Sequence, residues 1–434
     1  MSSVQLWDDA DQRVALNEAP GRAVRLPIQT RRRRGYSRAM ADPRAQLHLV
    51  DDDGLRRWIY EPPAAERWGR RGGGGGLLSR AGDVLRSFSF TDVQQSDRGP
   101  NQVTDALLAL DRKLTPDQGL RRWDPSQQRL VPAPSPALAG KTLLLVHGTF
   151  SNSDMYLTQW AATPQGQALW AGLQARYANI LVFDHPTLAV PPWINALDLH
   201  QALRQVTGPI DVVAHSRGGL VVSWWLRVAP TRANQVVLVG SPLDGTSLAS
   251  PYRLRQALDH LATVADLLAA GGEALSGIAP IAAGAAGLAK IFGRVLHLGA
   301  SVPLVDAAVA LVPGLASQQR TSNNAETRSL FAQQWLGSPR FALVSADFQP
   351  STNAPLWQVW DRLKTAGAQI VAGVADGVFD GPNDLVVDTA AMGFLGALQP
   401  PQSIERVALG AGNTYHTSYF RDPRVTALLD QRLR

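Results

Sequence analysis

The chain has 434 residues, of which 45% are hydrophobic, so it can form a sizeable core and is not globally disordered. It has no cysteine, which excludes disulfides, cysteine-ligated zinc, iron–sulfur clusters and thiol nucleophiles. The net charge of +6 arises in residues 1–135, which hold 22 basic and 17 acidic side chains, while the remainder nearly balances. Few aromatic residues accompany the N-terminal arginines, so we expect no nucleic-acid partner.

We expect residues 1–135 to form an arginine-rich N-terminal extension. Five glycines at 72–76 and a proline-rich stretch at 131–140 interrupt it, as in flexible connections. Apolar runs at 47–50 and 58–60 indicate strands of a small appended domain. No residue there indicates chemistry, so a scaffold or protein-partner role is the expectation. The first residues are acidic and polar, which predicts no secretory signal and a cytoplasmic protein.

From residue 141 onward, short apolar runs alternate with segments long enough to be helices. The runs have four to six residues and are rich in β-branched and leucine side chains, which is typical of buried parallel strands. They lie at 142–146, 180–183, 210–214, 236–239, 341–345 and 404–409. We therefore predict an α/β domain with a mostly parallel central sheet over residues 136–434.

Residues 251–335, rich in alanine, glycine and leucine, interrupt this pattern. The uncharged stretch 274–289 is broken by Gly277, Pro280 and Gly284, so it is too short and irregular for a membrane span. We expect packed helices inserted between two strands, forming a lid over the carboxyl edge of the sheet. A helix on the membrane surface is the alternative, and it would give the lid a transient membrane contact.

The strongest chemical signal is the run IDVVAHSRGGL at 210–220. A predicted strand leads directly into it and a helix-forming segment follows, which is the context of a G-x-S-x-G nucleophile elbow. Ala214 replaces the first glycine and is small enough for the sharp turn. Ser216 is therefore the predicted nucleophile, and His215 and Gly218 belong to its motif. The serine lies at a helix N-terminus, whose N–H groups stabilise negative charge.

A second predicted strand ends in His147-Gly148. Glycine at this place lets the loop turn so that the backbone N–H of Thr149 or Phe150 points at a substrate carbonyl. The N–H of Arg217 would be the second donor of this oxyanion hole. An ordinary glycine at the end of a strand is the alternative, and the elbow downstream favours the oxyanion loop.

A third run, VVLVGSPLDGT at 236–246, resembles the strand and turn that follow the elbow in lipases. Together the three motifs are similar to the lipase branch of the α/β-hydrolase superfamily, which includes bacterial lipases and GPI-inositol-deacylase-like serine hydrolases. The resemblance covers about residues 141–250 and 340–425. It implies an α/β-hydrolase fold with a helical lid, a serine–acid–histidine triad in that chain order, and ester or acyl substrates. The chemistry that the resemblance implies requires no cofactor and no metal.

The resemblance places the triad histidine after the last strand, where His416 stands. For the acid, Asp384 in the run GPNDLVVD resembles the segment that carries it in bacterial lipases, although leucine stands where the family has glycine. Asp347 is the alternative, because it follows the strand at 341–345, where the generic fold also places an acid. Further acids nearby are Asp376, Asp380 and Asp388.

These residues predict a serine carboxylic-ester hydrolase of lipase type that acts through an acyl-enzyme on a lipid or long-acyl ester. The apolar lid favours an acyl chain as the ligand. An acyltransferase or a thioesterase would use the same triad. A non-catalytic interaction protein on a hydrolase fold is a hypothesis from another class, and the long N-terminal region motivates it.

Overall fold

The structure is a computed structural model, in which side chains are described from residue 106 onward except at residue 323. The described residues are 24–25, 45–52, 55–61, 83–90, 101–133, 137–230, 232–249, 283–284, 286–288, 312–332, 339–349, 379, 381–396 and 404–434. They form two sheets, one of four strands near the N-terminus and one of eight strands.

The four-stranded sheet is antiparallel and has the order β1-β4-β2-β3. Its strands are β1 (Val24–Arg25), β2 (Ala45–Asp52), β3 (Leu55–Glu61) and β4 (Asp83–Phe90). The runs at 47–50 and 58–60 lie inside β2 and β3, so these two predicted strands are confirmed.

The eight-stranded sheet has the order β12-β11-β10-β9-β7-β8-β5-β6, and its six strands from β7 to β12 are parallel. The parallel strands are β7 (Thr142–Val146), β8 (Asn179–Asp184), β9 (Ile210–His215), β10 (Ala233–Val239), β11 (Arg340–Phe348) and β12 (Ile404–Gly412). Every predicted apolar run forms one of them. Strands β7, β8 and β9 are buried along their whole length, as expected of strands with helices on both faces.

Two antiparallel strands complete this sheet at one edge. They are β5 (Gly119–Asp124), which pairs with β8, and β6 (Arg129–Pro132), which pairs with β5. The sequence analysis assigns residues 119–132 to the N-terminal extension because of their arginines. In the structure, β5 and β6 instead belong to the central sheet.

Helices cover both faces of the eight-stranded sheet. They are α1 (Asn101–Leu114), α2 (Asp154–Ala161), α3 (Pro164–Arg176), α4 (Pro192–Ala202), α5 (Gly218–Val228), α6 (Pro313–Ala316), α7 (Ala325–Ala332), α8 (Thr389–Met392) and α9 (Pro423–Arg432), with 3₁₀ turns at Ser247–Ala249, Thr321–Asn323 and Tyr419–Arg421. One apolar cluster joins α4, α5 and α7 to one sheet face, and another joins α2, α3 and α9 to the opposite face. Alternate residues of β7 enter the two clusters, as the pleat of a strand requires. This arrangement is the α/β-hydrolase fold, so the predicted fold class is confirmed.

The predicted lid, residues 251–335, lies between β10 and β11 and is mostly outside the described residues. Its described parts are helical turns at 283–284 and 286–288, where the side chain of Leu288 is fully buried, and residues 312–332. Helix α7 within the second part packs against one face of the sheet. Among the described helices, none has the length and the apolar composition that a membrane crossing requires.

Candidate active site

Ser216 lies on the sharp turn between β9 and α5, at the carboxyl edge of the central sheet. Its φ of 55° is in the left-handed region, which costs a residue with a side chain roughly 1–2 kcal/mol. Two backbone hydrogen bonds hold the turn. The N–H of Ser216 donates to the carbonyl of Val239 (2.9 Å), and the carbonyl of Ser216 accepts from the N–H of Gly219 (2.9 Å). Such a turn exposes the serine Oγ at the top of the sheet.

Small residues around Ser216 leave room for the turn. A methyl group on Gly148 would lie 2.5 Å from Cβ of Ser216, and one on Gly218 would lie 2.4 Å from the carbonyl oxygen of Val146. Ala214, which replaces the first glycine of the motif, is fully buried within β9. The close contacts therefore require glycine at 148 and 218, whereas position 214 accommodates a methyl group.

His416 lies on the loop after β12 and joins the serine to an acid. Its Nε2 is 2.8 Å from Oγ of Ser216, and its Nδ1 is 2.7 Å from Oδ2 of Asp384. The backbone of His416 is fixed as well, because its N–H donates to the carbonyl of Asp384 (2.9 Å) and its carbonyl accepts from Nε2 of His215 (2.8 Å). All three side chains of this chain of hydrogen bonds are buried.

The carboxylate of Asp384 is fully buried, and both of its oxygens are hydrogen-bonded. Oδ1 accepts from the backbone N–H groups of Val386 (3.1 Å) and Val387 (2.7 Å). Oδ2 accepts from His416 and from the hydroxyl of Tyr419 (3.0 Å). The desolvation of a buried carboxylate is offset by such donors.

Leu385, where the resembling lipases have glycine, has a φ of 78°. Glycine adopts this left-handed conformation readily, and a leucine does so only when its surroundings hold it. Here the side-chain oxygen of Asn383 accepts from the N–H of Leu385 at 2.9 Å. The backbone shape of the acid loop is thus the one that glycine favours, although the residue differs.

The other candidate acids lie in different surroundings. Asp347 is half-buried near the end of β11 and accepts from a side-chain amide two residues along the chain. Asp388 is buried and forms an ion pair with Arg320 (2.7 Å). Of the acids that the structure describes, Asp384 is the one that contacts the histidine. Two candidates lie outside the described residues, namely Asp376 and Asp380.

Tyr419 belongs to the site although no sequence motif indicates it. Its side chain is fully buried, and its hydroxyl donates to the carboxylate of Asp384. Burial and the neighbouring carboxylate raise the pKa of Tyr419 well above its usual value, so the phenol stays protonated and remains a donor. A tyrosine three residues after His416 has no pattern of its own, which is why sequence reasoning misses it.

The three candidate oxyanion donors differ in their partners. The N–H of Phe150 donates to Oγ1 of Thr187 at 3.4 Å, and Phe150 has a left-handed φ of 55°. Within the described residues, the N–H groups of Thr149 and Arg217 donate to no protein acceptor. These two groups are thus free to bind a substrate oxygen, and that of Arg217 lies at the N-terminus of α5, where the helix dipole favours negative charge.

The side chain of Arg217 has a structural contact that the motif does not indicate. It is fully buried, and its Nη2 donates to the carbonyl of Val190 and to Oδ1 of Asn195 (2.8 Å). Burial lowers the pKa of Arg217 to about 10, against the raising effect of Asp111 and Glu326. The guanidinium is therefore charged at neutral pH and ties the elbow to the start of α4.

The motif histidines are neutral and structural. Nδ1 of His147 donates to the carbonyl of Gly148 (2.9 Å), and its Nε2 accepts from the N–H of His185 (3.1 Å). Burial lowers the pKa of His147, and it lowers the pKa of His185 and of His215 well below the usual value. These rings orient the loops that hold Ser216 and His416.

The run at 236–246 and the residue after it form hydrogen bonds with the loop that carries Asp384. The hydroxyl of Thr246 donates to the carbonyl of Val386 (2.6 Å). The N–H and hydroxyl of the next residue, Ser247, both donate to the carboxylate of Asp388, at 2.9 and 3.0 Å. The third sequence motif therefore supports the segment that carries Asp384.

A metal site requires several ligating side chains around one point. In the part of the chain that the structure describes, no group of three or more histidine, aspartate or glutamate side chains has this arrangement. The titratable groups of the site pair with each other and with backbone groups instead.

Comparison with known sequences identifies one family. The family described as "Domain of unknown function (DUF7379)" matches residues 112–434. This range begins near the end of α1 and includes the whole eight-stranded sheet. No curated protein sequence matches the chain.

Several solved structures are remotely similar. The mature lipase BlEst2 of Bacillus licheniformis is 17% identical with a TM-score of 0.33, covering 72% of this chain and 97% of that one. A thermophilic esterase from Thermogutta terrifontis is 16% identical with a TM-score of 0.35, covering 69% and 91%. The epoxide hydrolase CorEH is 12% identical with a TM-score of 0.36, covering 69% and 94%.

Replacing Gly148 by alanine should lower any reactivity of Ser216 by about 10²-fold or more while the protein stays folded. The added methyl group would lie 2.5 Å from Cβ and 3.0 Å from Oγ of Ser216, so the serine must shift, and a misplacement of about 1 Å costs about 10²-fold in rate. The measurement is ester hydrolysis, with circular dichroism to verify folding. Gly172→Ala on α3 is the matched control, since its methyl would meet only the flexible end of Arg176. Equal activity of both variants would contradict the predicted clash.

Replacing His215 by glutamine should make stability less dependent on pH. Because burial lowers its folded pKa, His215 takes up a proton on unfolding once the pH falls below about 6.5. Folding stability is therefore lost as the pH falls from 6.5 to 5, and glutamine removes this proton uptake. We expect the variant to lose up to about 1.4 kcal/mol less per pH unit than wild type in urea denaturation over this range. Parallel pH profiles would show that His215 titrates alike in both states.

Proposed function

This chain belongs to the DUF7379 family, and we propose that it is a serine hydrolase that cleaves carboxylic esters through an acyl-enzyme. The supporting observation is the buried chain of hydrogen bonds from Ser216 through His416 to Asp384, at 2.8 and 2.7 Å. A serine becomes a good nucleophile when an adjacent base takes its proton and a third group orients that base. The order serine, acid, histidine along the chain is that of α/β-hydrolases.

In the first half of the proposed reaction, Oγ of Ser216 attacks the carbonyl carbon of the ester, and Nε2 of His416 takes the hydroxyl proton. The bond from the carbonyl carbon to the alkoxy oxygen then breaks, and His416 gives the proton to the leaving alcohol. Asp384 accepts from Nδ1–H throughout, so it fixes the tautomer and stabilises the imidazolium. Tyr419 and the N–H of Val387 hold the carboxylate in place.

In the second half, a water molecule attacks the acyl-enzyme and His416 takes a proton from it. The acid product leaves, and the proton returns to Oγ of Ser216. In both halves the carbonyl oxygen becomes negatively charged, and we assign its stabilisation to the free N–H groups of Thr149 and Arg217. A preorganised donor of this kind contributes about 3–4 kcal/mol to transition-state stabilisation.

We propose a lipid or other long-acyl ester as the substrate. The predicted lid, residues 251–335, is rich in alanine and leucine, and apolar side chains of this kind suit an acyl chain. One described part of it reaches the oxyanion loop, since a methyl group on the buried Gly284 would lie 2.1 Å from the ring of Phe150. A chain attached to a carbonyl bound at Ser216 would therefore lie near lid residues. The apolar composition of this segment also favours a transient contact of the lid with membranes.

The complete set of hydrogen bonds favours an enzyme over a non-catalytic interaction protein. A protein without this chemistry has no need for the left-handed turn at Ser216, which costs conformational energy. An acyltransferase or a thioesterase would use the same acyl-enzyme with a different acceptor or donor. The products of the reaction distinguish these activities from ester hydrolysis.

The wild-type protein should hydrolyse p-nitrophenyl esters, with kcat/KM rising from acetyl to palmitoyl, and Ser216→Ala should not exceed the background rate. Asp384→Asn should lower kcat by about 10⁴-fold, because it leaves the histidine in the wrong tautomer. Asp347→Asn is the matched control and should keep its activity, because Asp347 binds only a nearby amide among the described side chains.

Three outcomes would revise the proposal. A loss of activity in Asp347→Asn, with Asp384→Asn active, would transfer the role of acid to Asp347. Activity that peaks at acetyl or butyryl esters would remove the lipase assignment and leave an esterase. Undiminished turnover by Ser216→Ala would contradict the nucleophile itself.

A further inference from the structure

Asp111, near the C-terminal end of α1, is a fully buried carboxylate. It accepts hydrogen bonds from the backbone N–H groups of Thr187 (2.8 Å), Leu188 (3.0 and 3.1 Å) and Ala189 (2.8 Å). Within the described residues no lysine or arginine lies at ion-pair distance from it, and the guanidinium of Arg217 interacts with it electrostatically over a longer distance. Its negative charge is therefore stabilised by three consecutive N–H groups of the loop after β8, and this loop is held to α1 in turn.

Thr187 connects this loop to the oxyanion loop. Its hydroxyl donates to Oδ1 of Asp111 (3.3 Å) and accepts from the N–H of Phe150 (3.4 Å). Phe150 directly follows Thr149, one of the two free N–H donors, and its φ of 55° needs outside support. A chain of hydrogen bonds thus runs from Asp111 through Thr187 to the turn that presents Thr149.

Two further contacts hold the same loop from other sides. The N–H of Gly314 on α6 donates to the carbonyl of Leu188 (2.8 Å), and a methyl group on Gly314 would lie 1.9 Å from the carbonyl oxygen of Thr187. The buried guanidinium of Arg217 donates to the carbonyl of Val190. The loop therefore touches both segments that supply oxyanion donors, and Asp111 is the group that binds three of its N–H groups at once.

We propose that Asp111 and Thr187 are positioning residues for the oxyanion hole. This inference rests on the proposed function, because it assigns to α1 a part in the ester hydrolysis at Ser216. Neither side chain touches the substrate. Asp111 fixes Thr187, Thr187 fixes the left-handed turn at Phe150, and the turn places the N–H of Thr149 where the carbonyl oxygen becomes charged. Helix α1, which precedes the sheet, is thus part of the catalytic unit.

The test compares Thr187→Val, Thr187→Ser and Asp111→Asn in the full chain. Thr426→Val is the matched control for the hydroxyl, since Thr426 is buried on α9 and donates to a backbone carbonyl of its own helix. Asp211→Asn is the control for the carboxylate, since Asp211 is buried at the opposite end of β9. The measurements are kcat and KM for a p-nitrophenyl ester, affinity for an aryl boronate, and thermal melting. The tetrahedral boronate adduct on serine places an oxygen in the oxyanion hole.

We expect Thr187→Val and Asp111→Asn to lower kcat by about 10- to 100-fold with little change in KM, because a donor is displaced only slightly. Boronate affinity should fall by a similar factor, and Thr187→Ser, which keeps the hydroxyl, should restore both. The two controls should lose thermal stability without losing kcat. Loss of kcat in the controls to the same extent, or full activity of Thr187→Val, would overturn the positioning role while the proposed function stands. A wild-type protein without esterase activity or boronate binding would overturn both.

Discussion

The left-handed turn at Ser216 is the constraint on which the rest of the site depends. Such a turn is unfavourable in isolation, so the surrounding backbone must hold it. The N–H of Ser216 donates to the last residue of β10, which requires β10 to lie beside β9. Glycines at 148 and 218 leave space on either side. The position of the serine therefore depends on the strand order and on the absence of a side chain at the two glycines.

The parallel sheet brings the remaining groups to the same place. Parallel strands end at one edge, and ligands of α/β sheets bind outside those carboxyl ends. Each loop after β7 to β12 contributes one part, in chain order Thr149, Thr187, Ser216, Thr246, Asp384 and His416. Because every loop is bonded to at least one other, the site is a network of hydrogen bonds, and the proposed reaction requires donors that are held in place in this way.

Local patterns in the sequence predict the parts of this network that depend on neighbours along the chain. The apolar runs indicate all six parallel strands, and small residues around Ser216 mark its turn. The sequence leaves Asp384 and Asp347 as alternatives, because Asp347 lies at the end of β11 and Asp384 follows that strand. The folded loop shows that Asp384 contacts the histidine. Asp111 has no motif, since its partner Thr187 is 76 residues away. The sequence does not indicate strand β5, because arginines interrupt its apolar pattern. One of them, Arg121, is buried and forms an ion pair with Asp184 (2.9 Å).

We propose that Ser216 is an activated nucleophile, and covalent labelling of the native protein tests this most directly. A fluorophosphonate reacts with a serine whose proton is taken by a neighbouring base, and peptide mass spectrometry locates the adduct. We expect one adduct, on Ser216, that disappears when the protein is denatured before labelling and in His416→Ala. A folded protein that stays unlabelled, or an adduct on a different serine, would contradict it.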